Sequence, residues 1–275
     1  SGDTKQRLFD MASDADVISF DLFDTLITRK VFTYTDVFEL VDLRLREKGI
    51  CLLDFAKHRL YAEKELSKVG APGLEAIYQL VLKRVGGGFI TASELATMEW
   101  ETDFDVMRSR DAVCNIFRRF VAEGKQVVIT TDSYYSEVQT GKILKRFGLS
   151  GADRILVSSE LGTSKTQKLY EVLKDEYPSK KILHIGDDEL ADIEKAVGYG
   201  IETYRIYSGM DLFEALGGLG IVSDMDTLAD RTKVGMFIAH LFNNPFWFEE
   251  EERKLAVESA FEIGYLFCAP MFTDF

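Results

Sequence analysis

Val17-Ile18-Ser19-Phe20-Asp21-Leu22-Phe23-Asp24-Thr25-Leu26 is an apolar run that ends in an acid and turns at once. Val17 to Phe20 read as a short buried strand, which stands Asp21 at its carboxyl end, where open α/β sheets carry their ligand sites. Alone, the segment is equally well a turn or a helix cap, both common settings for Asp. Three later segments decide the reading. Gln126-Val127-Val128-Ile129-Thr130-Thr131-Asp132 is a second apolar run, ending in hydroxyls, and Thr131 can donate a hydrogen bond to an anionic oxygen. A third run, Ile155 to Val157, precedes Ser158-Ser159-Glu160-Leu161-Gly162-Thr163-Ser164-Lys165, which brings a compact positive charge at the start of a helical pattern. The fourth, Lys181-Ile182-Leu183-His184-Ile185-Gly186-Asp187-Asp188-Glu189-Leu190-Ala191-Asp192, is a strand delivering carboxylates, the oxygen ligands a hard divalent ion such as magnesium prefers.

Acid, hydroxyl, lysine and acid cluster, in that order and each at a strand end, closely resemble the four sequence motifs of the haloacid dehalogenase superfamily, mostly aspartate-nucleophile phosphohydrolases. The match covers about residues 15 to 207. The resemblance implies that Asp21 attacks phosphorus, Thr131 binds a phosphoryl oxygen and Lys165 tethers the nucleophile and the transferring group. It also implies magnesium held by Asp21, the backbone carbonyl of Phe23 and Asp187, with Asp188 or Asp192 assisting. Thr25, Arg29 and Asp132 join Thr131 as candidate substrate-binding residues. The chemistry agrees, because phosphoryl transfer needs positioning and charge neutralisation above all, and a carboxylate nucleophile splits it into two easier steps.

One position departs from the pattern. The superfamily's phosphatases carry a second aspartate two residues after the nucleophile, where it protonates the leaving group; here that residue is Phe23. Asp24 is the candidate to substitute, although a one-residue shift in extended chain reverses side-chain direction. An apolar residue at this position is familiar from the dehalogenases and phosphonatases of the same superfamily. The dehalogenases dispense with metal, whereas this chain keeps Gly186-Asp187-Asp188, which favours magnesium and a small phosphorylated substrate. Two alternatives stay open: a phosphonatase- or dehalogenase-type hydrolase, the former needing a lysine among Lys57, Lys64, Lys68 and Lys83, or a catalytically weak module that binds a phosphorylated ligand or a protein partner. In detail, Phe20 to Leu26 with Thr28-Arg29, and Thr131-Asp132-Ser133-Tyr134, are similar to a branch of predicted hydrolases found beside bacterial glycosyltransferases, which implies work in surface-polysaccharide or sugar-phosphate metabolism.

At 275 residues with 46% hydrophobic side chains the chain is long enough for a substantial core. A net charge of -13 speaks against a nucleic-acid partner, which would need a clustered basic face. Cys51, Cys114 and Cys268 lack metal-ligand spacing and read as buried apolar residues. There is no apolar run long enough to span a bilayer and no opening signal peptide, so a cytoplasmic location is expected. Glu249 to Glu252 precede a helical pattern and read as a favourable N-terminal charge.

The strand and helix patterns alternate over residues 15–31 and 109–209, as a doubly wound parallel α/β sheet, the Rossmann-like core of this superfamily, requires. Strands are expected at 126–131, 153–157, 181–186 and 201–206, and helices at 111–123, 136–147, 165–176 and 189–197. Residues 32–108 interrupt the alternation with helical candidates at 35–48, 54–68, 74–85 and 93–107. In the superfamily an insertion here is a helical cap that closes over the site. Arg29, Lys30, Arg59 and Tyr61 are candidates for reading an anionic headgroup, and His184 reads as a satisfied core histidine. From about Met210 a helical extension follows, with helices expected at 226–242 and 251–267. It offers a dimer contact or a dock for a neighbouring domain, and its apolar end suggests a fragment of a longer chain.

Overall fold

The computed structural model describes residues 4–86, 88–222 and 225–246. The expected helix 251–267, the acidic run at 249–252, Cys268 and the apolar end lie outside the described residues. In chain order the elements are α1 (Lys5–Asp14), β1 (Val17–Phe20), β2 (Ile27–Arg29), α2 (Asp36–Glu47), α3 (Phe55–Leu66), α4 (Leu74–Val85) and α5 (Ala92–Val106). There follow β3 (Met107–Ser109), α6 (Asp111–Ala122), β4 (Gln126–Thr131), α7 (Glu137–Arg146), β5 (Arg154–Val157), α8 (Ser158–Leu161), α9 (Leu169–Glu176) and β6 (Ile182–Gly186). A π-helical turn (Glu189–Glu194) leads into α10 (Lys195–Gly198), then β7 (Glu202–Arg205), α11 (Gly209–Ala215), α12 (Gly218–Ile221) and α13 (Leu228–Leu241).

The main sheet runs β5-β4-β1-β6-β7, all parallel. All four residues of β1 are buried, as expected of a central strand covered on both faces. Register sets the site: Phe20 pairs with Ile129 on one side and Ile185 on the other, so the carboxyl ends of three strands are level. From β1 the chain winds outward through β4 and β5, then returns to β6 and β7 on the other side. The order therefore reverses beside β1, where such sheets open a crevice. Ile116, Phe117 and Phe120 of α6 are core, and the Phe117 ring meets that of Phe20 at 5.5 Å.

Several local expectations give way. The helix expected from 165 begins at Leu169, leaving Lys165 in a turn capped by Asp132. The helix expected at 189–197 opens as a π-helical turn, because Asp192 folds back and its Oδ2 accepts the Asp188 amide at 3.0 Å. That return needs Gly186, where an added Cβ would come within 2.3 Å of the Asp192 carboxyl carbon. Cys51 is exposed rather than buried, having only a short loop around it, whereas Cys114 is buried.

Between β2 and β3 lie the four helices α2 to α5, packed chiefly on one another. Entry and exit are zipped together: β2 and β3 pair antiparallel, Ile27 with Ser109, Thr28 with Arg108 and Arg29 with Met107. The unit is organised around Arg59, which is fully buried rather than surface charge or a headgroup reader. Its guanidinium takes Glu99 bidentately at 2.6 and 2.7 Å and Glu63 at 2.6 Å. It also lies over the rings of Phe38 and, from the core's second motif, Tyr134. A buried cation survives because every donor face has a partner.

The last described helix crosses both connections. Arg231 of α13 reaches Asp36 and Glu39 of α2, and Gly235 lies so close to the chain at Val31 that a Cβ there would stand 2.1 Å from its carbonyl carbon. On the return connection Arg108 meets His240 at 2.6 Å, and Asn243 donates to the Ser109 carbonyl at 2.9 Å.

Candidate active site

Asp21 follows β1 directly and is 5% exposed; its amide is held by the Ile185 carbonyl at 2.8 Å, continuing the ladder one residue past the strand. Lys165 Nζ donates to Asp21 Oδ1 at 2.5 Å and to Asp192 Oδ1 at 2.5 Å. Asp187, the residue after β6, completes a group of three carboxylates whose oxygens lie within 4.8 Å of one another. Thr25 donates to Asp187 Oδ1 at 3.1 Å. Like charges this close in a buried site repel, and the acids respond. Burial pushes the Asp21 carboxyl up to about 7, with Lys165 opposing and Asp192 adding to the rise. Burial, together with Asp24 and Asp21, drives Asp187 well above the carboxylate range. Asp192 goes the other way: Lys165 and His184 hold it ionised in spite of its burial.

Two carboxylates whose pKa values burial and mutual repulsion raise, beside one held ionised, make a set that a divalent cation would discharge, so the residues present fit a metal ion. They do not fit it equally. Asp192 Oδ1 already accepts from Lys165 and from His184 Nε2 at 3.0 Å, and Oδ2 from the Asp188 amide, which makes it the holder of the lysine. The carboxylate of Asp188 is exposed and caps the π-helical turn on the Ala191 amide at 2.7 Å, outside the group of three. Asp188 as an assisting ligand is thus not favoured by its geometry, the local capping bond having claimed it.

The other candidates divide in the same way. Thr131 is fully buried at the end of β4, and its hydroxyl finds no partner among the described residues. A buried hydroxyl left so costs about 1 to 3 kcal/mol unless a ligand takes it. Asp132, exposed at the end of β4, receives the Lys165 amide at 3.0 Å, fixing the lysine's turn, and also lines the cleft. Asp24 adopts the left-handed conformation (φ 55), accepts from the Thr28 hydroxyl at 2.9 Å and faces the cleft. Arg29 is pinned by Asp103 at 2.7 Å through both Nε and Nη2, and its guanidinium covers the Phe23 ring at 4.1 Å. The position where an acid is expected is therefore a phenyl ring under a guanidinium. Of the four headgroup candidates Arg29 lines the cleft, while Lys30, Arg59 and Tyr61 do not.

Three contributors carry no sequence signal. His184 is buried as expected, yet it also braces the site, linking Asp192 to Ser19 Oγ at 2.8 Å and through it to Thr130. Burial pushes its pKa down, the Asp192 contact opposing, and the ring spans the two groups with Nε2 at Asp192 and Nδ1 at Ser19. Tyr170 stands edge-on to that ring at 5.2 Å. Arg110, fully buried, donates to the backbone carbonyls of Asp24, Tyr207 and, at 3.2 Å, Asn243, so it ties the loop after Asp21 to the C-terminal helices. Only the folded chain brings these partners, up to 165 residues apart, together.

Above the strand ends a cleft of about 470 Å³ opens between the core and the inserted helices. Asp24, Asp132, Ser133 and Ser158 line it below, and Tyr34, Glu63 and Ser67 above. No lysine among Lys57, Lys64, Lys68 and Lys83 lines it, and all four are exposed, so the structure offers no Schiff-base lysine there among the described residues.

No family model and no curated protein sequence matches the chain. Solved structures do match. The HAD-type protein YfnB from Bacillus subtilis, bound to magnesium, is 18% identical over 74% of this chain and 99% of its own, with a TM-score of 0.51. L-2-haloacid dehalogenase from Xanthobacter autotrophicus, carrying covalently bound chloropropionic acid, is 13% identical over 80% of this chain and 87% of its own, again with a TM-score of 0.51. A HAD-family enzyme from Bacteroides thetaiotaomicron matches at 13% identity over 74% of this chain and 98% of its own, with a TM-score of 0.51. The chain has the fold of the haloacid dehalogenase-type hydrolases. Among its described residues no helix is long and apolar enough to cross a membrane.

Proposed function

We propose that the protein is a magnesium-dependent hydrolase of small phosphorylated metabolites that works through an aspartyl-phosphate on Asp21. The observation that supports this best is the buried contact of Asp21 with Lys165 at the end of the central strand, with Asp187 beside it and the Thr131 hydroxyl left without a partner. In this reading an Asp21 oxygen attacks phosphorus, and the ester P–O bond breaks with its electron pair leaving on the departing oxygen. Water then cleaves the acyl phosphate, releasing inorganic phosphate. Lys165 and Thr131 hold the phosphoryl oxygens, Asp192 and His184 keep Lys165 in place, and α2 to α5 act as the cap. Magnesium, held by Asp21, the Phe23 carbonyl and Asp187, supplies charge neutralisation at the phosphoryl group. The test is a panel of sugar, acyl and aryl phosphates with and without magnesium. Turnover that needs magnesium and disappears in Asp21→Asn supports the reading; turnover indifferent to that substitution removes it. A second reading, carbon–halogen or carbon–phosphorus hydrolysis, draws on Phe23 alone, and the panel should include a 2-haloacid and a phosphonate. The resemblance to the glycosyltransferase-associated branch makes sugar phosphates the first substrates to try.

Magnesium binding should weaken with acid. Asp21 titrates near 7 among Asp24, Asp187, Asp192 and Lys165, so below that pH the ion has to displace a proton. Calorimetry is expected to show the affinity falling at least tenfold per pH unit below 7, since Asp21 and Asp187, both raised, must give up protons to the ion, and Asp187→Ala should abolish the heat. The metal-free protein should also lose stability as pH rises from the ordinary 3.8 of Asp21 to about 7, because the folded state binds the proton more tightly than the unfolded state does. Magnesium should therefore raise Tm more at pH 8 than at pH 5.5; equal shifts at both pH values would contradict the assignment.

The cap's two connections, Thr28 to Phe32 and Arg108 to Asp111, are the expected hinge. Bound phosphate analogue should slow amide hydrogen exchange there. Identical exchange with and without it would remove the gating role.

A further inference from the structure

We infer that the cleft selects phosphate esters whose remainder is neutral or positively charged and rich in hydroxyl or ammonium donors, with Glu63 as the specificity-determining residue. The inference rests on the hydrolase reading for the phosphate end and adds the chemistry of the other end.

Charge decides the matter. Asp24, Glu63 and Asp132 line the cleft, and among its described lining residues Arg29 is the sole cation, its Nε and Nη2 already committed to Asp103. Lys165 is buried beneath, between Asp21 and Asp192, where it serves the phosphoryl end. At the outer end, Glu63 projects from α3 with a side chain 19% exposed, and one oxygen is anchored on Arg59 at 2.6 Å. Arg59 spends most of its charge on Glu99, so the Arg59–Glu63–Glu99 group carries a net negative charge, with Glu63 its member on the cleft. The second Glu63 oxygen has a long contact with the Tyr34 hydroxyl at 3.5 Å and retains acceptor capacity. The cleft also presents donor-acceptors of neutral charge: Ser67, Ser133, Ser164 and Gln167. Such a lining satisfies hydroxyl and ammonium groups and repels a second phosphate or a carboxylate.

Three six-carbon monophosphates with the same phosphate arm and different outer charge test this: glucosamine 6-phosphate, glucose 6-phosphate and 6-phosphogluconate. Each is used to inhibit hydrolysis of p-nitrophenyl phosphate by the full chain with magnesium. The inhibition constants should rise in that order, with about tenfold between the first and the last, which differ by two unit charges, each a weak contact near a wet surface. Glu63→Gln should contract the spread to about threefold by the same reasoning. Ser67→Lys, at an exposed position next to the cleft, should favour 6-phosphogluconate without disturbing the Arg59 cluster. Equal constants, a reversed order, or no inhibition by any of the three overturns the inference while leaving Asp21-dependent hydrolysis intact. If p-nitrophenyl phosphate is not hydrolysed, that result falls on the hydrolase reading. The charge order is then read by calorimetry of the same three esters on the magnesium-loaded protein, where an absent order again overturns it.

Discussion

Phe23→Asp is expected to raise turnover of alkyl phosphates well above that of the wild type, with a much smaller gain on aryl phosphates. In the proposed reaction, with Phe23 where the acid would stand, the departing oxygen would leave largely unprotonated, which a phenolate tolerates and a sugar alkoxide does not. A placed general acid contributes on the order of a hundred to ten-thousandfold, or roughly 3 to 5 kcal/mol of barrier. The surroundings set where in that range the gain falls. The Phe23 ring lies 4.1 Å beneath the Arg29 guanidinium and 6.3 Å from the Tyr135 ring. A carboxylate introduced there competes with Asp103 for Arg29, and the nearby cation holds it ionised, which opposes its work as an acid. The bidentate hold of Asp103 on Arg29, reinforced by Tyr135 donating to Asp103 at 2.6 Å, limits that competition. The gain should therefore lie toward the lower end, with about 1 to 3 kcal/mol of stability lost through the missing ring. Steady-state kcat for one alkyl and one aryl phosphate, with a thermal melt of each protein, measures it. Rapid alkyl turnover in the wild type and no gain in the variant would show that Asp24 or another group already donates the proton.

Lys165→Met should abolish most turnover and destabilise the fold in a pH-dependent way. The ammonium compensates two buried carboxylates at once, Asp21 and Asp192. Removing one partner of a buried ion pair costs about 3 to 5 kcal/mol, and loss of a preorganised charge at the phosphoryl site about a hundred to a thousandfold in kcat. Part of the stability loss is recoverable by protonation. Asp21 already titrates near 7, and without Lys165 it rises further. The penalty is then greatest above pH 7 and shrinks as the pH falls towards the ordinary carboxylate range, because the folded state of the variant takes up the proton that the unfolded chain releases. Denaturant unfolding of both proteins at pH 5 and pH 8 tests this. The same loss at both values would mean that Lys165 packs rather than compensates.

The sheet and its strand-end residues were legible because they are written locally: an apolar run, then a polar residue, repeated four times. Val17 to Phe20 became β1, and Asp21, Thr131, Lys165 and Asp187 arrive at the same end of the sheet. What sequence could not convey is which partner each side chain chooses. Asp188 and Asp192 look alike in the run, yet one caps a turn on the surface and the other is drawn inward by Lys165 and His184. Arg59 carries the same local pattern as a surface ion pair with Glu63, and its burial follows from Glu99, forty residues on. The β2–β3 ribbon escaped notice because three-residue strands leave no periodicity to read. The helix α1 is short and mostly polar, and only Leu8 and Ala12 are buried on it.

The crossing of α13 over the two connections has a mechanical meaning. A hinge made of two independent strings lets a domain swing and twist freely. Here the strings are stitched to each other by the β2–β3 pairing and then to one stiff rod, through Gly235 and Arg231 on one side and His240 and Asn243 on the other. Any rotation of the inserted helices would thereby be limited to the few directions in which the rod can roll with the strings. Because Arg110 binds both the Asn243 carbonyl behind the rod and the Asp24 carbonyl in the loop after Asp21, the same roll would be geared to the loop that carries Asp21.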